Sequence, residues 1–414
     1  MDRSTLHGKI MAGYQGWFNT PADGTGCGWR HYAKGHAAEL TPDTAKFDVW
    51  PDTAEMDEDE LCETGILYAD DTPAKLPSSC NPKTVSRHFR WMKEYGLDGV
   101  FVQRFYPYCK HREEMKHTLR VLEYCRQGAA DHDRAYGLMY DLSGMYGPDA
   151  QTVIDDFEQL VNDTGLTDDR AYIRHNGKPV VVVWGIGLLG RAHYHWSDCM
   201  PLVKHLKDWG ATVMFGVPTG WREQHYEHVY HPDDPTSSVL RWYDAIRDPK
   251  MLDAFEMADI ISPWSVARID SILGASMLAW DVWAKDMDWC NERGIEYMPV
   301  VFPGFNWENM KPHHPCKHIA RRKGALLWKQ YYEAIRLGAP MIYQAMFDEV
   351  DEATAIFKCS NTPPGEAGLF IDMEGVPPDH YLKLVGEAGR MLRGDAPLLE
   401  QCPLLENGGY VGHA

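Results

Sequence analysis

The sequence lacks the long apolar run that a membrane-spanning helix requires. Its longest uninterrupted apolar stretch, from Pro179 to Gly190, is about half the roughly 20 residues of such a helix. It also lacks the composition of disordered, collagen-like or small disulfide-rich chains, because 44% of its 414 residues are hydrophobic and 24% are charged. We therefore expect a globular protein with a large core, one domain over residues 1–414, and no membrane partner.

Basic residues are too few for a polyanion-binding protein. Against 60 acidic residues stand only 41 basic ones, which leaves a net charge of −19, and the basic residues form no stripe along the chain. Nucleic acids and anionic membrane surfaces are therefore not expected as partners. Neither glycine-rich phosphate-binding motif, GxGxxG or GxxxxGK[ST], follows a predicted strand. Nucleotide-binding folds of the open-sheet type lose support for the same reason.

Metal and disulfide signals are also weak. The ten cysteines include no CxxC pair, so we expect most of them to be reduced, buried hydrophobic residues. His225, His228 and His231, at i, i+3 and i+6, would drift around a helix, and we assign no acid or cysteine in the sequence that completes a ligand set with them, so we predict no metal. The opening MDRSTLHGKI has no apolar segment of the signal-peptide type. An intracellular location is favoured, or a secreted or periplasmic one if a leader has been removed.

Eight short apolar segments rich in β-branched or aromatic residues recur along the chain, each followed by a turn and then by helical periodicity. They begin near Ile10, Gly99, Ala135, Pro179, Ala211, Ala258, Ile295 and Pro340. Helical spacing is clear for Val85, Phe89 and Met92, with Gly96 placed to end that helix. The alternation predicts a (β/α)8 barrel, with a doubly wound open sheet as the alternative. Residues Asn19 to Asn81 form an unusually long loop after the first strand.

Aromatic residues with polar atoms are in excess, since 15 Trp and 21 Tyr stand against 13 Phe. In a barrel of this type the functional groups come from the carboxyl ends of the strands and the loops that follow them. The residues that we place there as a sugar-binding surface are Tyr14, Gln15, Trp17, Gln103, Arg104, Tyr140, Asp141, Trp184, Trp221, Trp264, Phe305 and Trp307. The segment FDVWPD of the long loop adds Asp48 and Trp50, as a lid over the cleft or a locally folded turn. Each residue alone is better explained by packing, but together they provide flat faces and hydrogen-bonding groups suited to a pyranose.

The end of the eighth strand carries the densest group of acids, in FDEVDEATAIF. Asp348, Glu349, Asp351 and Glu352 repel one another, so burial should separate their pKa values, as acid–base chemistry requires. If the segment is a helical turn, Glu349 and Glu352 project from one face with Cβ atoms about 5–6 Å apart. That spacing is near the carboxyl separation of about 5–5.5 Å in retaining glycosidases. The alternative interpretation is an acidic first turn that complements a helix dipole.

The run YQAMFDEVDEATAIF resembles the strand-eight motif of the endo-α-1,2-mannosidase family, glycoside hydrolase family 99. That motif reads roughly Phe-Asn-Glu-Trp-His-Glu-Gly-Thr, and Phe347, Glu349, Glu352 and Thr354 match it in register. The segments GYQGWF, FDVWPD and PGFNW add a similarity to the family 71/99-like proteins that spans nearly the whole chain. The chain departs from the motif where Asp348 replaces Asn, Val350 replaces Trp and Asp351 replaces His, and these departures leave its substrate open.

The resemblance implies a retaining α-glycosidase that acts on an oligosaccharide or polysaccharide without metal or organic cofactor. Glu349 would be the base that activates the sugar's own 2-hydroxyl, giving a 1,2-anhydro sugar, and Glu352 the acid. This mechanism requires a 1,2-trans substrate of the manno, rhamno or arabino type. Asp348 is included among the substrate-binding residues, and Glu349 and Glu352 should share a pocket with Tyr14 and Trp17. The alternatives are a non-catalytic carbohydrate-binding barrel, a conventional double-displacement glycosidase, and a metal-dependent hydrolase that uses the histidines.

Overall fold

The computed structural model describes residues 1–188, 193–224, 227–231, 233–241, 245–312 and 318–405, with the side chains of 227–231 and 234–241 left out. The strands of these ranges are numbered in chain order: β1 Ile10–Tyr14, β2 Leu61–Leu67, β3 Pro73–Pro77, β4 Gly99–Phe105, β5 Ala135–Asp141, β6 Arg174–His175, β7 Lys178–Trp184, β8 Thr212–Pro218, β9 Glu227–His231, β10 Asp234–Arg241, β11 Ile260–Trp264, β12 Glu296–Tyr297, β13 Val300–Val301, β14 Phe305–Asn306, β15 His318–Ile319 and β16 Ile342–Gln344.

The α-helices of the described residues are α1 Pro82–Tyr95, α2 Tyr106–Lys110, α3 Lys116–Asp131, α4 Ala150–Thr164, α5 Trp196–Trp209, α6 Pro249–Phe255, α7 Ile272–Leu278, α8 Ala284–Asn291, α9 Ala325–Arg336 and α10 His380–Leu392. A π-helical turn, Ala279–Trp283, joins α7 to α8. Within this part of the chain, no helix has the length and apolar character of a membrane span.

The eight predicted strands are all present and form one ring of parallel strands. Its order is β12, β11, β8, β7, β5, β4, β1, β16, β13, and β12 and β13 belong to the same short segment of chain. At one side of this segment the Met298 N–H donates to the Ile261 carbonyl (2.9 Å). At the other side the Tyr343 N–H donates to the Pro299 carbonyl (3.0 Å), which closes the ring. The predicted (β/α)8 barrel is confirmed.

Local sequence explains the elements that surround this ring. The interior of β7, Pro179 to Val183, is buried throughout, as expected for a parallel strand covered on both faces. Helix α1 begins where Asn81 Oδ1 accepts the Lys83 N–H (2.9 Å), and it ends at Gly96, whose φ of 85° suits glycine. Its predicted apolar stripe, Val85, Phe89 and Met92, is buried as expected.

The long loop after β1 is more ordered than its sequence indicates. It contains the antiparallel pair β2 and β3 and a 3₁₀ turn, Glu58–Glu60. Residues 57–60 of this loop are all acidic, yet Glu60 is buried, where it accepts a hydrogen bond from Thr84 Oγ1 (2.9 Å) and pairs with Arg87. Helix α1 therefore anchors this part of the loop to the barrel.

Candidate active site

The acidic segment after β16 forms a tight turn rather than the predicted helical turn. The Ala353 N–H approaches the Val350 carbonyl (3.4 Å), and Ala353 has a φ of 52° that does not continue a helix. The buried Arg321 side chain donates through Nη2 to the carbonyls of Ala353 (2.9 Å) and Ala355 (2.7 Å). The Asn306 N–H donates to the Glu352 carbonyl (2.9 Å). Contacts from distant segments therefore fix the turn that carries the two glutamates.

Glu349 follows β16, and because β16 is the hydrogen-bonded neighbour of β1, Glu349 lies beside the carboxyl end of β1. Its side chain is buried, with Gln15 Nε2 donating to Oε1 (2.8 Å) and Thr354 Oγ1 donating to Oε2 (2.9 Å). Burial raises the pKa of Glu349 well above its ordinary value, and the charge of Glu352 raises this pKa further. The two donated hydrogen bonds favour the charged form. The buried carboxyl group of Glu349 and the partly exposed one of Glu352 thus interact electrostatically in one site.

Asp348 connects the same turn to the end of β1. Its two carboxylate oxygens accept the backbone N–H groups of Gln15 (2.8 Å) and Gly16 (2.8 Å). Gly16 has a φ of 61°, and a Cβ at this position would lie 2.6 Å from Val121 Cγ1, so glycine is required there. Burial raises the pKa of Asp348 to about 7. Because both oxygens are already bonded, the structure gives Asp348 a role in holding the site together.

Only one of two adjacent strand residues can face the barrel axis, since successive side chains alternate between the two faces. Gln103 faces inward, where its Nε2 lies 3.5 Å from the Tyr343 hydroxyl on β16. Asp141 is also buried at this end, and burial raises its pKa to about 6. Gln15 reaches Glu349, as described above.

Tyr14, Arg104 and Tyr140, which directly precede or follow these three residues in the sequence, contact the helices instead. The Tyr14 hydroxyl lies 2.9 Å from His88 Nδ1 on α1, and Arg104 and the Tyr140 hydroxyl both bond Asp156 on α4. Our placement of Tyr14, Arg104 and Tyr140 on the sugar surface therefore conflicts with the alternation of side chains along β1, β4 and β5. Of the predicted pocket around Glu349 and Glu352, the structure brings Gln15 rather than Tyr14 into contact with Glu349.

Four of the predicted tryptophans, Trp17, Trp184, Trp264 and Trp307, are partly exposed. Trp184 and Trp264 meet edge to face, with ring centroids 5.7 Å apart, beside a small cavity that Met139, Ser262 and Tyr343 also line. The Trp184 ring needs Gly216 on the strand between them, since a Cβ there would lie 2.4 Å from its Cδ1. This pair of rings forms an aromatic surface on one side of the cavity.

Trp50 and Trp221 are fully buried, so neither ring has a face open to a ligand. Trp50 packs beside Phe370, and Trp221 Nε1 donates to Asp286 (3.0 Å). Phe305 is also buried, with its ring 4.9 Å from that of Trp307. These three predicted ligand contacts serve packing in the structure.

The FDVWPD segment is a folded turn packed against the acidic turn. The Asp48 N–H donates to the Val350 carbonyl (3.0 Å), and Asp48 Oδ1 accepts the Asn309 N–H (3.0 Å) and an amide hydrogen of Asn306 (3.2 Å). Burial raises the pKa of Asp48 to about 7. The structure thus favours the second of our two interpretations of this segment.

Two contributors to the site escaped the sequence analysis. His31 lies in the long loop, yet its ring stacks on Trp17 with centroids 3.9 Å apart, and its Nδ1 lies 3.2 Å from Asp351 Oδ2. Tyr343 lies inside the last strand and supports Gln103. No local signal marks His31, because its partners lie far away in sequence, whereas the alternation of side chains along the last strand could have indicated Tyr343.

Several buried polar atoms at this end of the barrel have no hydrogen-bond partner among the described residues. They are Gln15 Oε1, Trp17 Nε1, Asp48 Oδ2, Gln103 Oε1, Trp184 Nε1, Asn306 Oδ1 and Asp351 Oδ1. Buried polar groups in proteins are nearly always bonded to something, so such a concentration is typical of a surface that binds a polar ligand or ordered water. The site therefore offers several acceptors and two indole donors.

The histidines that we considered as metal ligands, His225, His228 and His231, lie outside the residues whose side chains the structure describes. In the described part of the chain, His7, His175 and Glu296 place possible ligand atoms within 4.8 Å of one another. These residues precede or begin strands, so they lie at the opposite end of the barrel. His175 Nδ1 accepts the Leu6 N–H (3.1 Å), which leaves its proton on Nε2, beside Glu296 Oε1 (2.7 Å). The hydrogen bonding of His175 is thus satisfied within the protein. The nine cysteines that are described are unpaired.

No protein-family model matches the chain, and no curated protein matches it in sequence. Among solved structures it is similar to a GH99 endo-alpha-mannosidase from Bacteroides thetaiotaomicron, with a TM-score of 0.63 and 16% identity over 94% of this chain and 99% of that one. A complex of that mannosidase with BIS-TRIS-Propane aligns with the same TM-score and coverage and 15% identity. A glycoside hydrolase-like protein follows, with a TM-score of 0.52, 13% identity, and coverage of 86% and 98%. The resemblance suggested by the motifs is thus supported at the level of the fold.

Proposed function

We propose that the protein is a glycoside hydrolase that cleaves an α-linked, 1,2-trans glycan. The observation that carries this proposal is the position of Glu349 and Glu352, close together at the carboxyl end of the strand that neighbours β1. Active sites of (β/α)8 enzymes lie at this end. The fold shared with an endo-alpha-mannosidase supports the same conclusion. We further propose that residues 1–414 form a single domain.

Glu349 is proposed as the base that removes the proton of the substrate's 2-hydroxyl. Its raised pKa makes its carboxylate a stronger base near neutral pH, which is the condition under which general-base catalysis is effective. Gln15 and Thr354 each donate one hydrogen bond to it, which holds the carboxylate in a fixed orientation. A base that accepts a proton from the substrate must remain oriented in this way throughout the reaction.

Glu352 is proposed as the acid that protonates the departing oxygen. In the first step the 2-oxygen bonds to the anomeric carbon while the bond from that carbon to the leaving oxygen breaks. The hydroxyl proton passes to Glu349, and Glu352 supplies a proton to the leaving group. Water then opens the 1,2-anhydro ring, losing a proton to Glu352 as Glu349 returns its proton to the 2-oxygen, and the original configuration is restored. No metal or organic cofactor takes part in these steps.

The scheme restricts the substrate. The 2-oxygen must approach the anomeric carbon from the face opposite the leaving group, which only 1,2-trans glycosides allow. α-Mannosides, α-L-rhamnosides and α-L-arabinosides meet this condition, whereas α-glucosides and α-galactosides do not. The sugar itself would contact Gln103, Asp141 and the partly exposed tryptophans.

The test uses aryl glycosides of α-D-mannose, α-L-rhamnose and α-L-arabinose, and of their α-linked disaccharides, with matched 2-deoxy compounds. We expect turnover of at least one parent compound and none of its 2-deoxy analogue. Glu349→Gln and Glu352→Gln should each lower turnover by about 10²–10⁴-fold. Cleavage of the 2-deoxy compound, or a glycosyl ester trapped on Glu349, would indicate conventional double displacement. Binding without turnover by the wild-type protein would indicate a carbohydrate-binding barrel.

A further inference from the structure

Three side chains from distant parts of the chain meet at one edge of the proposed active site. Trp17 follows β1, His31 belongs to the long loop, and Asp351 lies between the two glutamates of the acidic turn. The rings of Trp17 and His31 stack nearly parallel, 3.9 Å apart at an angle of 6°. His31 Nδ1 lies 3.2 Å from Asp351 Oδ2, so the histidine connects the indole to the carboxylate.

Asp351 is almost completely buried, with 1% of its side chain exposed, yet the residues that the structure describes hydrogen-bond to only one of its two oxygens. Oδ2 faces His31, and Lys46 Nζ lies 3.9 Å from the same oxygen. Oδ1 has no hydrogen-bond partner within the described part of the chain, and the same is true of Trp17 Nε1. A buried carboxylate oxygen without a partner carries a substantial free-energy cost in the unliganded protein.

These two atoms differ in what they can bind. Asp351 Oδ1 accepts hydrogen bonds, and the Trp17 indole N–H donates one. A sugar hydroxyl does both, so it can satisfy an acceptor and a donor at once. A carboxylate or sulfate substituent can only accept hydrogen bonds, and the charge of Asp351 would repel it. The chemistry of this edge therefore matches a neutral, hydroxyl-bearing sugar.

We propose that Asp351, held by His31, is a specificity-determining residue that binds one hydroxyl of the sugar and excludes anionic sugars from the site. His31 is a positioning residue, since it orients the carboxylate through Nδ1 and is itself fixed by its stack on Trp17. This proposal rests on the proposed function, because it requires that the site bind a glycan. It does not require that the bound glycan be cleaved.

The test is a thermodynamic cycle measured as binding, in the Glu352→Gln background so that the ligand stays intact. The probes are the aryl glycoside from the panel above that binds most tightly and its monodeoxy analogues, each lacking one ring hydroxyl. Asp351→Ala should weaken binding of the parent by about 10–100-fold, the range for a hydrogen bond to a charged group. One monodeoxy analogue should bind equally well to the Glu352→Gln protein with and without Asp351→Ala, and this analogue identifies the hydroxyl that Asp351 binds.

Two further variants separate recognition from loss of structure. Asp351→Asn keeps the shape and an acceptor oxygen but removes the charge. It should therefore raise the affinity for the glycoside of the matching uronic acid while retaining most of the affinity for the parent glycoside. Asp208→Ala removes an exposed carboxylate on α5 and should change neither of these two affinities. Unfolding curves of each variant report its stability independently.

The outcomes are distinguishable. If Asp351→Ala weakens the parent and every monodeoxy analogue by the same factor, Asp351 binds no hydroxyl and the inference is wrong. Equal affinity of the Glu352→Gln protein for the parent glycoside with and without Asp351→Ala would also overturn it. If no glycoside of the panel binds any background, the proposed function itself fails, and this inference fails with it.

Discussion

Asp48 is a buried carboxylate whose ionisation opposes folding, so Asp48→Asn should stabilise the protein increasingly as the pH rises. Its Oδ1 accepts hydrogen bonds from Asn309 and Asn306, while Oδ2 has no partner among the residues described. Burial raises the pKa of Asp48 from 3.8 to about 7. In the variant the amide oxygen can keep both contacts, and the amide nitrogen replaces the oxygen that has none.

The sign follows from proton binding. Because the folded pKa of Asp48 lies above the unfolded value, the native protein retains a proton that the unfolded chain loses between pH 3.8 and about pH 7. The contribution of this group to stability therefore falls as the pH rises through that window. From pH 5 to pH 7 the difference spans about two pKa units, which at about 1.4 kcal/mol per unit corresponds to about 2–3 kcal/mol. The stability advantage of the variant should grow by this amount.

Guanidinium chloride unfolding at pH 5 and pH 8, followed by tryptophan fluorescence, measures this change. Asp43→Asn removes an exposed carboxylate from the same loop and should give the same free-energy difference at both pH values. If the gain from Asp48→Asn is as large at pH 5 as at pH 8, burial of this charge does not govern its effect. A loss of stability at pH 8 would contradict the reasoning directly.

Three further predictions follow from single contacts. Arg104→Ala should destabilise the fold by about 3 kcal/mol, because it leaves the Asp156 charge buried with fewer partners, while glycan affinity in calorimetry stays unchanged because Arg104 faces the helices. Gly16→Ala should cost about 2–4 kcal/mol in thermal unfolding, from its positive φ and the close approach of its new Cβ to α3. Although burial opposes it, hydrogen bonds from His175 and His7 lower the pKa of Glu296 to about 2. The stability that Glu296 contributes should therefore be lost as the pH falls from about 4.5 to 2, and Glu296→Gln should flatten that part of an acid-unfolding curve.

The barrel could be predicted because its strands are short, buried runs whose apolar character depends on local sequence alone. The segment 179–183 and the stripe of α1 show this directly, since every predicted apolar position is buried. The division of the seventh strand into β12 and β13 was not predicted. It arises because β12 pairs with β11 on one side and β13 pairs with β16 on the other, and the local sequence does not encode these pairings.

The site was predicted less completely, for two physical reasons. Adjacent strand residues such as Gln103 and Arg104 were both assigned to the cleft, although the alternation of side chains allows only one to face it. His31 was missed because its role depends on Asp351, 320 positions away. The acidic turn was expected to be helical, but contacts from Arg321 and Asn306 determine its shape, and no local pattern encodes them.

The bonds between Asp348 and the end of β1 have a consequence for synthesis of the chain. Gln15 and Asp348 are 333 residues apart, so the first strand emerges long before the segment that completes it. At about 5–20 residues per second, this delay lasts roughly 15–70 seconds on the ribosome. Until β16 arrives, β1 pairs only with β4 and has an open edge of the kind that associates with other chains. The segment that carries the catalytic candidates is thus also the one that ends the period in which the nascent barrel can aggregate.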